Sequence, residues 1–299
     1  MKTIALLVTH GFYPSRPDRL EVEYSAQQLA VLVPALARYD IAVEPVFWQD
    51  DDVVWSKYAA IVPLMAWNYP QEVDLFLRRL EEMERAGSPV FNRPEILRTN
   101  MDKSYLAALA AKGAPIPPTI AVSSCTDSAI ANSFDQFDVD EIIIKPNIGA
   151  GAWRQARLKR GQPIPHADSL PPHGALIQPF LRSVTQEGEW SLLYFNATFS
   201  HAVMKRPKDG DYRTQGQHGA CEQNIIAPDQ ARDAAHLVLQ LASKEPLTYA
   251  RVDLVRGPSG DWLLMELELI EPWLYLFHDG HSGQHGAALF AAAINAHLG

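Results

Sequence analysis

Cysteine is scarce in this 299-residue chain, with Cys125 and Cys221 far apart and in no CxxC spacing. That argues against a disulfide-stapled scaffold and predicts a chain suited to the reducing cytosol, so a cytoplasmic location is expected. Excess positive charge is also absent, since 26 Lys and Arg stand against 35 Asp and Glu, for a net charge of -9. Such a balance offers no broad positive field to phosphate backbones or anionic lipid, and neither nucleic acid nor membrane is expected as a partner. Long hydrophobic runs are missing. The longest, Tyr58 to Trp67, is interrupted by Pro63 and falls well short of the ~20 residues of a membrane span. Met1 to Gly11 has no long apolar signal core and reads as a first β-strand. Neither GxxxxGK[ST] nor a complete GxGxxG occurs, which weighs against P-loop and ordinary dinucleotide sites. Ser123, Ser124 and Ser191 lack the GxSxG setting of a hydrolase elbow.

What is present is apolar patterning, at 47% hydrophobic residues, enough to bury the cores of two or three units. Short Val, Ile and Leu runs at 3–8, 42–47 and 59–64 alternate with helical patterns at 21–37 and 71–86, which predicts a parallel sheet covered by helices. A helix over 102–112 and a Pro-rich turn at 114–118 mark a junction. Beyond it, strands are expected at 119–122, 141–145, 175–179, 190–195, 198–204, 250–255 and 262–270, with helices at 228–243 and 283–298. The expected class is therefore α/β followed by α+β. An N-terminal parallel-sheet unit (1–100) leads into a body of mixed and antiparallel sheets (101–181 and 182–299). Polar, Gly-containing stretches at 149–160 and 205–219 read as loops over a ligand or as solvated loops.

Two places could carry chemistry. Lys145 ends an Ile-Ile-Ile strand and precedes Pro146-Asn147-Ile148-Gly149-Ala150-Gly151-Ala152, small residues whose backbone N–H groups can approach phosphate oxygens. Further on, Glu266 and Glu268 alternate along 263–271 and share a strand face, with Leu264 and Ile270 expected beside them. If the preceding turn is symmetric about Ser259 and Gly260, Asp253 lies opposite Glu266 and Arg251 opposite Glu268. That would make a three-carboxylate site for a hard divalent ion. The bland alternative is an Arg251–Glu268 salt bridge with Glu266 solvated. His278, His281 and His285 could gather zinc only without help from the remote cysteines, and read more simply as surface or substrate-loop histidines, while Asp50, Asp51 and Asp52 read as a solvated loop or helix cap.

The ordered set Asn100-Met101-Asp102-Lys103-Ser104-Tyr105-Leu106, Ile144-Lys145-Pro146 with its Gly-Ala-Gly loop, Ile177-Gln178-Pro179-Phe180-Leu181, Gly188-Glu189-Trp190-Ser191-Leu192, and Arg251-Val252-Asp253 before Glu266-Leu267-Glu268 resembles ATP-grasp ligases. It is most similar to the branch near glutathione synthetases and the ATP-grasp ligase of D-cycloserine biosynthesis. The similarity runs from about residue 92 to the end of the chain, and Trp67-Asn68-Tyr69 resembles that branch's aromatic signature in the N-terminal domain. The branch usually has an arginine shortly before this tryptophan, whereas Pro63, Leu64, Met65 and Ala66 supply none.

The resemblance implies an ATP-grasp fold with ATP and Mg²⁺ as cofactors. Lys103 and Lys145 would contact phosphates, and Gly149 and Gly151 would lie in the loop that closes over them. Gln178, Pro179, Phe180 and Leu181 would offer backbone groups to adenine, and Glu187 or Glu189 would hold the ribose. Asp253, Glu266 and Glu268 would bind metal. Arg206 and Arg213 would face the transferred phosphoryl group and the substrate, with Arg251 adjoining the metal cluster. The expected substrate is a small amino-acid-like molecule in the crevice near His10, Trp67 and Tyr69, activated as an acyl phosphate and captured by an amine. Intramolecular closure of one substrate, or a nucleotide-binding protein without turnover, are the alternatives. A homodimer is compatible with the sequence.

Overall fold

The computed structural model describes residues 1–9 and 19–299. The chain opens with β1 (Lys2–Val8), α1 (Arg19–Ala37), β2 (Ile41–Phe47) and β3 (Ala60–Met65), which form a parallel sheet in the order β2-β1-β3. The helices α2 (Val73–Arg85) and α3 (Pro94–Asn100) follow. Strand β1 is apolar at nearly every position because both its faces are covered. Ile4, Leu6 and Val8 join the core beneath α1, and Ala5 and Leu7 join the core of Phe76, Leu80 and Met83 from α2. Each fully buried Leu here contributes roughly 1.5–3 kcal/mol.

Helix α4 (Tyr105–Ala111) leads to a second sheet, in the order β4-β7-β5-β6, built from β4 (Ile120–Val122), β5 (Glu141–Pro146), β6 (Ala156–Lys159) and β7 (Ala175–Pro179). Between β4 and β5 lies α5 (Asp127–Phe137), which was not expected as a helix. Thr126 caps its start by accepting from the Ala129 N–H at 3.2 Å, and Ile130 and Phe134, four apart, pack on Ile142, Ile144 and Ile177. Part of the expected loop at 149–160 is in fact β6, antiparallel to β5.

After α6 (Ser183–Gln186), the third sheet runs in the order β10-β9-β8-β11-β12 and is antiparallel throughout. Its strands are β8 (Glu189–Phe195), β9 (Thr198–Arg206), β10 (Cys221–Ile225), β11 (Tyr249–Arg256) and β12 (Trp262–Glu268), with α7 (Asp229–Ala242) between β10 and β11. Strand β10 was not expected, and Lys205 and Arg206 finish β9 rather than open a loop.

The period-two alternation sorts this sheet's residues. Leu192, Tyr194, Ala250, Val252 and Leu254 pack against α7 on one face. On the other, Leu193, Phe195, Val203 and Tyr249 pack under α8 (Gln284–Leu298) at one end, while Ser191, Lys205, Arg251 and Asp253 lie buried beyond them. Helix α8 also packs on α1, so the last helix completes the core of the first sheet. Among the described residues, no helix is long and apolar enough to cross a membrane.

Candidate active site

A cavity of about 860 Å³ lies between the second and third sheets, under two loops. One wall presents Ile143 and Lys145 of β5, and the other presents Glu189, Lys205, Arg251, Asp253, Glu266 and Glu268. Asp253 pairs with Glu266 and Arg251 with Glu268 across β11 and β12, but the turn differs from the one assumed. Near the turn, Arg256 pairs with Trp262 and Gly257 N–H donates to the Asp261 carbonyl at 2.7 Å. The ladder then shifts at Met265. This bulge moves Leu264 off the face of Glu266: Leu264 pairs with Leu254 and joins the core under α7, correcting the expected placement.

Carboxylate oxygens of Asp253, Glu266 and Glu268 lie within 4.8 Å of one another, which suits a divalent ion with few protein ligands. Cations interleave them. Arg251 Nε donates to Asp253 Oδ1 at 3.0 Å, and its Nη2 reaches both Asp253 Oδ2 at 2.9 Å and Glu268. Lys205 Nζ stands 3.3 Å from Asp253 Oδ2 and 2.5 Å from Glu189 Oε1. Lys103 Nζ contacts Glu266 Oε1 at 3.0 Å and donates to the Gly149 carbonyl at 2.7 Å. Lys145 is different. It is 8% exposed, and its ammonium makes no hydrogen bond or ion pair among the described residues.

Burial opposes charge on every one of these groups, and their neighbours decide the outcome. For Asp253, Arg251 and Lys205 overcome burial and hold the carboxylate below its usual range. Lys103 does the same for Glu266. Burial pushes Glu268 up to about 7, because the repulsion from Glu266 and Asp253 adds to it against Arg251. Glu271 is driven well above the carboxylate range by burial and by Glu268 and Glu266. Burial lowers Lys145, since Glu266 and Glu189 only partly offset it.

The loops meet over the cavity. Gly151 has φ +60°, and its carbonyl accepts from Gln217 Nε2 at 3.0 Å and faces His218 Nε2 at 3.1 Å. The Tyr212 hydroxyl donates to the Gln155 carbonyl at 3.1 Å. Phe180 lies between the Arg157 guanidinium, 3.7 Å from its ring centre, and the edge of Tyr212.

The cavity thus gathers Lys103, Lys145, Gly149, Gly151, Pro179, Phe180, Leu181, Glu189, Arg213, Arg251, Asp253, Glu266 and Glu268. Arg213 is held by Asp211, Nη2 to Oδ2 at 2.7 Å. Gln178 is fully buried behind the wall, its amide donating to Thr119 Oγ1 at 2.9 Å. Glu187 and Arg206 are exposed and outside the lining, with Arg206 Nε donating to the Glu187 carbonyl at 3.1 Å. Trp67 and Tyr69 line the cavity, whereas His10 lies outside the described residues. Lys205, Glu222, Glu271, Trp273 and Tyr275 border it too, unassigned from sequence. The alternation of Lys205 with Val203 and His201 along β9 is the signal that could have placed Lys205. Glu222 sits on the strand that was missed.

Residues 4–92 match the family described as the N-terminal domain of D-cycloserine synthetase DcsG. The cycloserine biosynthesis protein DcsG of Streptomyces lavendulae is 31% identical over 281 residues, covering 88% of this chain and 91% of that protein. A glutathione synthetase of Prochlorococcus marinus (strain MIT 9313) is 27% identical over 64% of this chain and 60% of its own length. Among solved structures, D-cycloserine synthetase DcsG superposes with a TM-score of 0.84 at 26% identity, covering 99% of this chain and 100% of that one. The D-alanine–D-alanine ligase of Bacillus anthracis has a TM-score of 0.66 at 13% identity over the full length of both chains, a likeness of fold.

Proposed function

This chain belongs to the ATP-grasp ligases, in the branch of the cycloserine biosynthesis protein DcsG, and on that premise we propose that it uses Mg-ATP to activate a small-molecule carboxyl-like group as an acyl phosphate, which an amine-type nitrogen captures. The observation that carries this reading is Lys145, a buried ammonium with no partner of its own, across the cavity from three clustered carboxylates. An unpaired buried cation is costly, and a phosphate oxygen compensates it. Asp253, Glu266 and Glu268 fit Mg²⁺ by donor type and spacing. Bound there, Mg²⁺ would supply charge neutralisation on the phosphates.

In the proposed reaction Lys103 and Lys145 hold and orient the phosphates of ATP. A substrate carboxylate oxygen attacks the γ-phosphorus, the bond from that phosphorus to the bridging oxygen breaks, and ADP leaves. The nitrogen then attacks the acyl carbon, the C–N bond forms, phosphate leaves, and the nitrogen gives up its proton. Positioning accounts for most of the rate gain in such a transfer, and the clasped loops keep water from the acyl phosphate. Pro179, Phe180 and Leu181 are assigned to adenine. Glu189 rather than the exposed Glu187 is assigned to the ribose, because only Glu189 borders the cavity. Arg213 is assigned to the substrate-facing side of the loop, and Arg251 to fixing Asp253 and Glu268.

Similarity across 91% of DcsG favours a second form of the same chemistry, in which one substrate supplies both the acyl group and the nitrogen. Incubation with Mg-ATP and a panel of amino acids, with hydroxylamine present, should release ADP and give a hydroxamate. ADP with neither a hydroxamate nor a C–N product would sink the acyl phosphate. No ADP from any substrate, with Mg-ATP still bound, would support a nucleotide-binding protein without turnover. The product mass separates ligation from closure.

A further inference from the structure

Beyond the three carboxylates and Glu189, the cavity is walled by Tyr24, Trp67, Trp273 and Tyr275 and carries two more acids, Glu222 and Glu271. The rings form a connected set, with centroids 4.7 Å apart for Tyr24 and Trp273, 6.2 Å for Trp67 and Trp273, and 6.3 Å for Trp273 and Tyr275. Hydrogen bonds tie the Trp67 ring and the Trp273 backbone in place. Trp67 Nε1 donates to the Glu271 carbonyl at 3.0 Å, and the Trp273 carbonyl accepts from Arg251 Nη1 at 3.3 Å.

The charges along the cavity do not balance evenly. Lys103 pairs with Glu266, Lys205 with Glu189 and Asp253, Arg251 with Asp253 and Glu268, and Arg213 with Asp211. Among the described residues, neither Glu222 nor Glu271 has a lysine or arginine within ion-pair distance, and Glu222 Oε2 has only the His278 imidazole, 3.5 Å away. Glu222, left without a lysine or arginine beside electron-rich rings, makes a setting that attracts an ammonium and repels a carboxylate, while Glu271, held in its neutral form, adds a polar group and no charge. The loop carrying Arg213 reaches this wall. A Cβ added at Gly216 would stand 2.9 Å from the Tyr24 hydroxyl and 3.2 Å from Glu222 Oε1, which places the loop directly against both side chains.

Resting on the ligase reading, we infer that this aromatic and acidic wall is the substrate-selecting subsite and takes a protonated amine. The substrate class is then small molecules that present an ammonium group to Tyr24, Trp67, Trp273 and Glu222, with no second carboxylate at that end. Glu222 and Trp273 are specificity determinants: they hold the end of the substrate away from the reacting carboxyl group.

The test uses the full chain with Mg-ADP present. Binding of tetramethylammonium is compared with that of tert-butanol, a neutral molecule of similar size, by tryptophan fluorescence and saturation-transfer NMR. The wild type should bind tetramethylammonium at least about tenfold more tightly than tert-butanol. Glu222→Gln and Trp273→Leu should each weaken tetramethylammonium about tenfold, with Mg-ADP affinity within about twofold of wild type. Equal binding of the two probes, no binding of tetramethylammonium, or unchanged affinity in both variants would overturn the inference. Calorimetry of Mg-ADP on the same samples reads the ligase assignment separately. A wild type that binds the cation and no nucleotide would fail that assignment and leave the cation subsite standing.

Discussion

Asp253 and Glu266 face each other across β11 and β12 because Met265 is accommodated as a bulge. Carried on without interruption from the turn, the ladder would have paired Asp253 with Met265 and turned Glu266 toward the core under α7. The bulge therefore puts a second carboxylate beside Asp253, and the energetics of the cluster follow from that crowding.

The three carboxylates should respond differently to neutralisation. Glu268 is the strained one, since burial and its acidic neighbours oppose its charge, whereas Glu266 is stabilised by Lys103. Glu268→Gln should hold or raise the melting temperature of the metal-free protein. Glu266→Gln should lower stability by about 1–3 kcal/mol through loss of a charge-assisted bond. Both should cut Mg²⁺-dependent ADP formation by orders of magnitude. Thermal melts beside ADP assays check this, and full activity in either variant would place the metal elsewhere.

Metal affinity should depend on pH through the same group. With Glu268 pushed up to about 7, the ion must displace a proton below that value. Mg²⁺ affinity should therefore rise as pH climbs through about 7 and level off above it. In the absence of metal, the sign for stability is opposite. A raised carboxyl binds more protons folded than unfolded, so its contribution is present at low pH and is lost as pH rises through about 7. Calorimetry in buffers of different ionisation enthalpy would count the released proton, and a flat pH profile would refute the assignment.

Lys145→Ala should weaken ATP binding by ~1.5–3 kcal/mol, yet leave the apo fold as stable as before or more so, because the lysine has no partner among the described residues. Titration calorimetry and denaturant melts read the two effects independently. Unchanged ATP affinity would remove Lys145 from the phosphate site.

The loop clasp gives a kinetic prediction. Gly151→Ala keeps a left-handed backbone that costs ~1 kcal/mol for a side chain, and its Cβ would come within 2.4 Å of Gln217 Nε2. Loss of this contact should lower turnover more than it lowers ATP affinity. Equal losses in both would mean the clasp forms on binding alone.

His201 supplies a stability signature of its own. Its ring is buried between Ser200 and the carbonyls of Leu274 and Tyr275, and burial lowers it to about 4. The unfolded chain takes up a proton near pH 6.5 and the folded one only near 4, so stability present above 6.5 is lost as pH falls toward 4, by up to about 3 kcal/mol. Urea midpoints of wild type and His201→Gln across that range should converge as pH drops.

The strands of the first and third sheets were legible because burial on two faces or one leaves a plain apolar or alternating record, as in β1 and β8. The pairing of Asp253 with Glu266 was anticipated through an assumed turn symmetry, and the structure reaches it through a bulge, a feature with no single-residue signature. Helix α5 is hard to read from sequence because its apolar stripe is short, Ile130, Phe134 and Phe137 amid polar residues, so tertiary packing decides its state. Strand β10 is polar and lies at a sheet edge, which leaves no hydrophobic alternation to read. Lys205 was hidden for a related reason: a lysine beside a Gly-rich stretch reads as loop until the partner strands show it buried at 2% exposure.

The packing of α8 onto α1 and the first sheet bears on how the chain is made. Ile4, Leu6 and Leu32 share one core with Phe290, Ala291 and Ile294, and Lys2 Nζ donates to the Leu298 carbonyl at 2.7 Å. On a ribosome, early segments ordinarily settle as they emerge. Here the face of the first sheet beneath α1 must wait, only partly covered, until α8 has been synthesised.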